Sequence, residues 1–215
     1  MMFQDAYETV SSLMQRGGWV MWPLLAMSVL ALTLIFERCW FWFITNRPGR
    51  AARFDDIGLY LRQGQRDRAL SIIDRDRSVY GRLLQRLIAE NTSDAAATDI
   101  VQSLRPRIER FMPTLGTIIT AAPMLGILGT VTGIISAFRV LSASQTVTDP
   151  SKISAGIAEA LLTTVFGLTI ALIVLFPFNA FRAQIDRTLG RFESLIAAAQ
   201  EGDDDEDENE TTAHK

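Results

Sequence analysis

The sequence is poor in groups that could do chemistry inside an apolar medium. Its 215 residues include one histidine and one cysteine. The histidine, His214, sits in an acidic tail read here as disordered, so neither a Ser-His pair nor a histidine metal site can form with the apolar segments. The single cysteine excludes an internal disulfide and any multi-cysteine metal centre. Cys39 lies beside Trp40, Phe41 and Trp42 and reads as an apolar filler. The apolar stretches contain no pair of aspartates. Gly126-Ile127-Leu128-Gly129-Thr130 has the look of a phosphate-cradling loop, but no lysine follows it and its surroundings are a continuous apolar helix. These absences exclude an enzyme: the reading has no catalytic residue, no metal, no cofactor and no nucleic-acid partner.

Apolar length is what the chain has instead. It is 48% hydrophobic and its mean hydropathy is positive, too apolar for an average soluble domain. A membrane-spanning helix needs about 20 apolar residues at about 1.5 Å each. Trp19–Phe36 with an aromatic extension to Phe43, Thr114–Leu141 and Gly156–Phe181 all qualify. The first is too long for a cleaved leader, has no basic region before it, and ends on Glu37-Arg38 where small residues would mark a cleavage site. It reads as a retained span, bracketed by Trp19, Trp22, Trp40 and Trp42 in the manner of interfacial aromatic belts. Pro23 falls in its opening turn, where a missing N–H does no harm.

Charge is segregated. The net charge is −3, but between Thr45 and Met112 there are thirteen arginines against nine acids. The segment Ser142–Ala155 has only Lys152 and Asp149, and the residues before Gly17 only Arg16, Asp5 and Glu8. By the positive-inside rule the arginine-rich loop is cytoplasmic, the N-terminus and the second loop are outside, and the C-terminus is inside. The expected fold is all-α: a polytopic membrane protein with three transmembrane helices, long cytoplasmic helix extensions and a small helical cytoplasmic domain. Residues 1–17 form an amphipathic segment outside, with Phe3, Tyr7, Val10 and Met14 on one side. Residues 18–44 are the first span, 45–113 the cytoplasmic domain, 114–141 the second span, 142–155 an outer loop and 156–181 the third span. Residues 182–200 continue as a cytoplasmic helix, and 201–215 form a disordered acidic tail.

Three short amphipathic helices are expected in the loop. Phe54, Ile57, Tyr60 and Leu61 mark the first, which stops at Gly64. Ala69, Leu70, Ile72 and Ile73 mark the second, and Val79, Leu83, Leu84, Leu87 and Ile88 the third. Ser93-Asp94 offers a cap for a helix leading into the second span, with a kink or brief interruption at Pro106 and Pro113.

The second and third spans are not leucine and isoleucine all round. Thr120, Pro123, Gly126, Thr130, Gly133 and Ala137 recur at steps of three or four on one, and Ala160, Thr164, Gly167 and Ala171 on the other. Such a narrow wettable stripe faces something other than lipid, and it points to ion handling. In antiparallel helices Thr130 and Thr164 lie at depths differing by about 5 Å. Two hydroxyls, each able to donate and accept, can relay water or a proton without a buried charge. Equally, a membrane threonine can simply bond its own helix carbonyl. Gly129 and Gly133 form a G-x-x-x-G pair whose default role is close helix packing, with Gly126 and Gly167 beside them. They line a pore only if several subunits bring this face together. Glu159 enters the third span in its first turns, as a helix-terminal carboxylate or a proton antenna. Glu37-Arg38 reads as an interfacial pair or anchor. Neither span has an aspartate or histidine at mid-depth, so a proton conductor built from this chain needs a titrating carboxylate from another chain.

Two segments then resemble a known family. Ala121-Ala122-Pro123-Met124-Leu125-Gly126-Ile127-Leu128-Gly129-Thr130-Val131-Thr132-Gly133-Ile134-Ile135 is similar to the second-span signature of the MotA/TolQ/ExbB proton-channel family. Gly156-Ile157-Ala158-Glu159-Ala160-Leu161-Leu162-Thr163-Thr164-Val165-Phe166-Gly167-Leu168 is similar to its third-span signature. Both occur in order, and the three-span arrangement favours the ExbB/TolQ branch. The resemblance implies a bacterial inner-membrane protein with a periplasmic N-terminus and a cytoplasmic C-terminus. It implies a homopentamer whose second and third spans line a pore holding a dimer of single-span ExbD/TolR-type partners, each with a membrane aspartate. Protons are then the transported ion, and the work reaches a TonB- or TolA-like periplasmic transducer. The family's pore threonines fall on Thr130 and Thr164, and its glutamate on Glu159. Thr163 stands where some relatives have alanine, which makes it a further candidate for the pathway, and Phe166 is bulkier than usual. The alternative reading is a non-conducting membrane scaffold for an envelope complex.

Overall fold

A computed structural model of the chain describes residues 18–45, 50–73, 81, 85–86, 94–143 and 150–213. Among these residues every element is a helix. In chain order they are α1 (Met21–Thr45), α2 (Arg50–Arg62), α3 (Arg66–Ile73), α4 (Asp94–Ile108), α5 (Met112–Ala143) and α6 (Pro150–Ala213). Three are long and apolar enough to cross a membrane: α1, the stretch Met112–Arg139 of α5, and α6 within Gly156–Gly202. The chain is thus all-α with three candidate spans, as the sequence leads one to expect. The amphipathic segment at 1–17, most of the third loop helix and His214 lie outside the described residues.

Contacts divide the chain into two units, one from the residues up to Glu37 with Phe111–Ala180, the other from Arg38–Arg110 with the residues from Phe181 onward. In the first unit, α1 begins from a turn. Gly18 adopts φ +67°, and the N–H groups of Met21 and Trp22 bond back to the carbonyls of Gly18 and Trp19 at 3.2 and 3.3 Å. Pro23 follows at the position whose donor would otherwise be orphaned. The start of α1 is turned inward: Val20 just before it and Met21 and Leu24 on it pack with Ala122 of α5, and Met27, Leu125, Phe166 and Ile170 flank that cluster. The opposite face is equally apolar, with Trp22, Val29 and Phe36 more than half exposed. A helix that is hydrophobic all round and buried on one side only suits hydrocarbon on the other.

The interruption expected near the prolines is observed. Helix α4 stops at Ile108 and α5 starts at Met112, with Phe111 between them at φ +68°. Pro113 has no N–H to give to Glu109, and its ring would clash with that carbonyl in a continuous helix. As the second residue of α5 it fits without cost.

At the far end of α5 the expected loop contracts. The helix reaches Ala143, and α6 already begins at Pro150, a residue whose fixed φ suits a first helical position. The acidic tail also departs from expectation. Read as disordered from its acids, it continues α6 as helix to Ala213. Nucleation is the costly step in helix formation, and α6 enters this run already formed, so each added residue needs only one further backbone bond.

In the second unit Gly64 ends α2 as expected, at φ +68°. Gln65 N–H bonds the Tyr60 carbonyl at 2.9 Å and Gly64 N–H that of Leu61 at 3.1 Å, the two bonds of a Schellman cap. Ile57, Leu61, Ala69 and Ile73 are buried, while Leu70, expected on the same inner face, is exposed. Helix α2 lies along α6. A Cβ on Gly58 would sit 3.6 Å from Leu195, Arg62 pairs with Glu201 at 3.0 Å, and a Cβ on Gly202 would collide with the Leu61 carbonyl. Cys39 is an exposed free thiol on α1.

Candidate functional site

Helices α5 and α6 meet through small residues. A Cβ on Gly167 would strike the Ala122 carbonyl. One on Gly126 would come within 2.9 Å of the Thr163 carbonyl and Thr164 Cα, and one on Gly133 within 2.6 Å of Ala160 Cβ. Gly129 is closed off by the Thr163 side chain. Ala137 is the neighbour of Gly156, at 3.5 Å. The pairings run in opposite directions along the two helices, so the pair is antiparallel with backbones in near contact.

That proximity brings three hydroxyls to one carbonyl. Thr164 Oγ1 donates to the Gly126 carbonyl at 2.9 Å and Thr163 Oγ1 reaches the same oxygen at 3.0 Å. Thr130 Oγ1 lies 3.3 Å from it. Thr130 and Thr164 are themselves joined, Oγ1 to Oγ1, at 3.1 Å, and either can be the donor. Two of the three hydroxyls also have an acceptor in their own helix: the Ile127 carbonyl for Thr130 at 2.7 Å, and the Ala160 carbonyl for Thr163 at 2.7 Å. Thr163 is only 1% exposed, whereas Thr130 and Thr164 are half-buried. The pair is therefore reachable, and the third hydroxyl is sealed behind it. A cluster of this kind carries no charge, satisfies every hydroxyl and can reverse the direction of its O–H bonds by rotation alone.

The sequence-based candidates separate on this geometry. Thr130, Thr163, Thr164 and Gly126 converge, and Gly129, Gly133 and Gly167 lie in the seam that lets them do so. Glu159 does not join them. It is half-buried on α6, one turn before Thr163, and among the described residues no hydrogen bond links it to the cluster. Glu37 and Arg38 lie elsewhere. Glu37 is half-exposed, while Arg38, expected at an interface, is 2% exposed. Its guanidinium donates to the Ile108 carbonyl at 3.4 Å and stands 4.6 Å from the centroid of the Phe41 ring, so it closes the C-terminal end of α4. Trp42, expected in an aromatic belt, is likewise buried, in contrast to Trp19, Trp22 and Trp40. Outside the spans, Glu109 accepts a hydrogen bond from Arg105 at 2.7 Å and holds its guanidinium above the usual arginine value.

Sequence reasoning missed the Gly126 carbonyl, because a backbone acceptor leaves no residue-type signature. It also left Ala122 off the second-span stripe and did not pair Ala160 with Gly133. A signal for these exists: Ala122, Gly126, Gly129, Gly133 and Ala137 are spaced four, three, four and four apart, and Gly156, Ala160, Thr163, Gly167 and Ala171 repeat that spacing. Matched small-residue ladders of this period are what two closely packed helices require.

Residues 74–194, more than half of the chain, match the MotA/TolQ/ExbB proton channel family. The chain is 35% identical over 173 residues to a putative biopolymer transport protein, ExbB-like 3, of Synechocystis sp., covering 78% of this chain and 82% of that protein. It is 27% identical over 196 residues to the biopolymer transport protein exbB1 of Vibrio cholerae, covering 88% and 86%. To the Tol-Pal system protein TolQ of Pseudomonas aeruginosa it is 36% identical over 86 residues, 40% of this chain and 37% of that one.

Proposed function

We propose, on the premise that the chain belongs to the MotA/TolQ/ExbB proton channel family and to its ExbB/TolQ branch, that it is the wall of a proton pathway in an energy-transducing envelope complex. Its relatives are transport-associated membrane proteins and not enzymes. The observation that carries the reading is the 3.1 Å bond between Thr130 and Thr164, half-buried on two apolar helices whose spans lack a titrating group of their own at mid-depth.

In this reading the chain assembles as a pentamer in the inner membrane, N-terminus periplasmic and C-terminus cytoplasmic. The second and third spans surround a dimer of ExbD/TolR-type single-span partners. The partner's carboxylate picks up and releases the proton, and the hydroxyl pair offers it a polar, uncharged surface at the cost of hydrogen bonds alone. Passage down the proton-motive force drives movement of the partner against the wall, and a TonB- or TolA-like transducer carries the work to the outer membrane. Glu159, near the outer end of the third span, serves as the antenna.

The experiment is proton flux into vesicles holding this chain with its partner, followed by a pH-sensitive dye. Thr164→Val is expected to reduce flux at least tenfold while leaving the complex assembled, and neutralising the partner's carboxylate is expected to abolish it. Unchanged flux in either variant overturns the pathway. A second reading, the non-conducting scaffold, draws on the fact that every hydroxyl of the cluster already has an acceptor within the chain. It expects no partner-dependent flux at all.

A further inference from the structure

Three hydroxyls approach the Gly126 carbonyl, yet that oxygen has two lone pairs, and in the regular α-helical pattern one of them takes the N–H of Thr130. One side-chain proton can therefore be accommodated well. Thr164 at 2.9 Å and Thr163 at 3.0 Å compete for it nearly evenly, and each has somewhere else to go. Thr163 can turn to the Ala160 carbonyl at 2.7 Å, and Thr164 to Thr130 at 3.1 Å.

We propose that Thr163 is a positioning residue whose hydroxyl rotation sets the direction of the Thr130–Thr164 hydrogen bond. This rests on the pathway reading above. In one arrangement Thr163 donates to Ala160, Thr164 donates to Gly126, and Thr130 donates to Thr164. In the other Thr163 donates to Gly126, so Thr164 is displaced and donates to Thr130, which donates to the Ile127 carbonyl at 2.7 Å. Every hydroxyl proton has an acceptor in both arrangements, so neither leaves a buried polar group unpaired. They differ in which half-buried oxygen is left with both lone pairs free: Thr130 in the first, Thr164 in the second. No bond to hydrogen is broken in passing between them; three O–H groups rotate.

Such a reversal is what a hydroxyl relay needs between protons. A proton handed along a row of hydroxyls leaves each O–H pointing the other way, and the row must turn back before it can carry another. Thr163 makes that turn possible from inside. It is sealed from the pathway at 1% exposure, so its rotation depends on the cluster and not on water. Its side chain, meanwhile, fills the space beside Gly129, with Oγ1 and Cβ nearest to an added Cβ there and the methyl at 3.1 Å; alanine would forgo the hydroxyl and the methyl, serine the methyl alone.

That distinction provides the test. Proton flux is compared for the wild type, Thr163→Ala, Thr163→Ser and Thr164→Val, each reconstituted as the assembled complex with its partner. Alanine and serine lose the methyl alike, and serine alone keeps the hydroxyl. The expected result is that Thr163→Ala lowers flux about fivefold, the ratio one net hydrogen bond carries, while Thr163→Ser stays near wild type. Equal flux in the alanine and serine variants, whether high or low, overturns the positioning role. So does a loss of assembly confined to Thr163→Ala, because the hydroxyl is then holding the fold. If Thr163→Ala conducts like wild type and Thr164→Val does not, the inference fails and the pathway stands. If Thr164→Val conducts freely, the pathway itself fails.

Discussion

Threonine 130 and threonine 164 sit at different places in the sequence and at one place in the structure, and a depth argument was enough to anticipate their meeting. Each helix advances about 1.5 Å per residue, so counting from the connecting segment brings the two hydroxyls to within a turn. Counting does not reveal which hydroxyl is sealed. Thr163 and Thr164 are adjacent letters, separated by about 100° around the helix axis, and only the packing of Gly129 and Gly126 decides that the first turns inward. Arg38 shows the same limit more sharply. An arginine at the end of an apolar run reads as a headgroup anchor, yet it is buried against the end of α4, bonded to the Ile108 carbonyl and stacked near Phe41. Replacing it with alanine removes a donor from a helix-terminal carbonyl and leaves a void, and is expected to cost about 2 kcal/mol or more. Lysine should recover little of this, since it cannot reproduce the planar stack. Thermal unfolding of the purified complex, with the arginine, lysine and alanine forms side by side, checks both statements; a lysine form as stable as wild type would contradict them.

At the scale of elements, the central event is the closeness of α5 and α6. The stripe singled out from the sequence mixed two registers, and the structure separates them. The ladders from Ala122 to Ala137 and from Gly156 to Ala171 form the seam, and Thr130 and Thr164 stand at its margin. Glycine and alanine were legible as packing residues, but the face they share was not, because a step of three or four defines a stripe only to within a residue. The seam predicts its own sensitivity. Gly167→Val pushes side-chain atoms against the Ala122 carbonyl and is expected to destabilise the pair by about 1–3 kcal/mol. It should also lower flux by parting Thr164 from Thr130. Gly190, on the same helix, has nothing within 4 Å of an added Cβ, so Gly190→Ala should be neutral or stabilising by up to about 1 kcal/mol. Melting temperatures of the two variants should therefore move apart, and a drop in both would assign the effect to α6 glycines in general. The ends of elements were less legible. Proline and glycine mark starts and stops at Pro23, Gly64 and Pro113, whereas the start at Pro150 falls inside the loop expected at 142–155, and the acidic run after Glu201, disordered by composition, continues as helix.

For the whole molecule, the sequence settles the class: three apolar helices, an arginine-rich middle segment and two family signatures in order. It does not settle how many copies assemble, because a wall made of small residues fits a neighbour from the same chain and a neighbour from another equally well. The exposed thiol of Cys39 offers a way to count. Being the only cysteine in the sequence, it takes one nitroxide per copy with no engineering, and in a closed ring the ratio of the two shortest spin–spin separations depends only on the number of members. Five members give a ratio of about 1.6 and four about 1.4, by the geometry of a regular polygon under closed symmetry. Pulsed dipolar spectroscopy on the labelled complex is expected to return the larger value. A lone thiol on the first helix thus becomes a ruler for an architecture that no single copy displays.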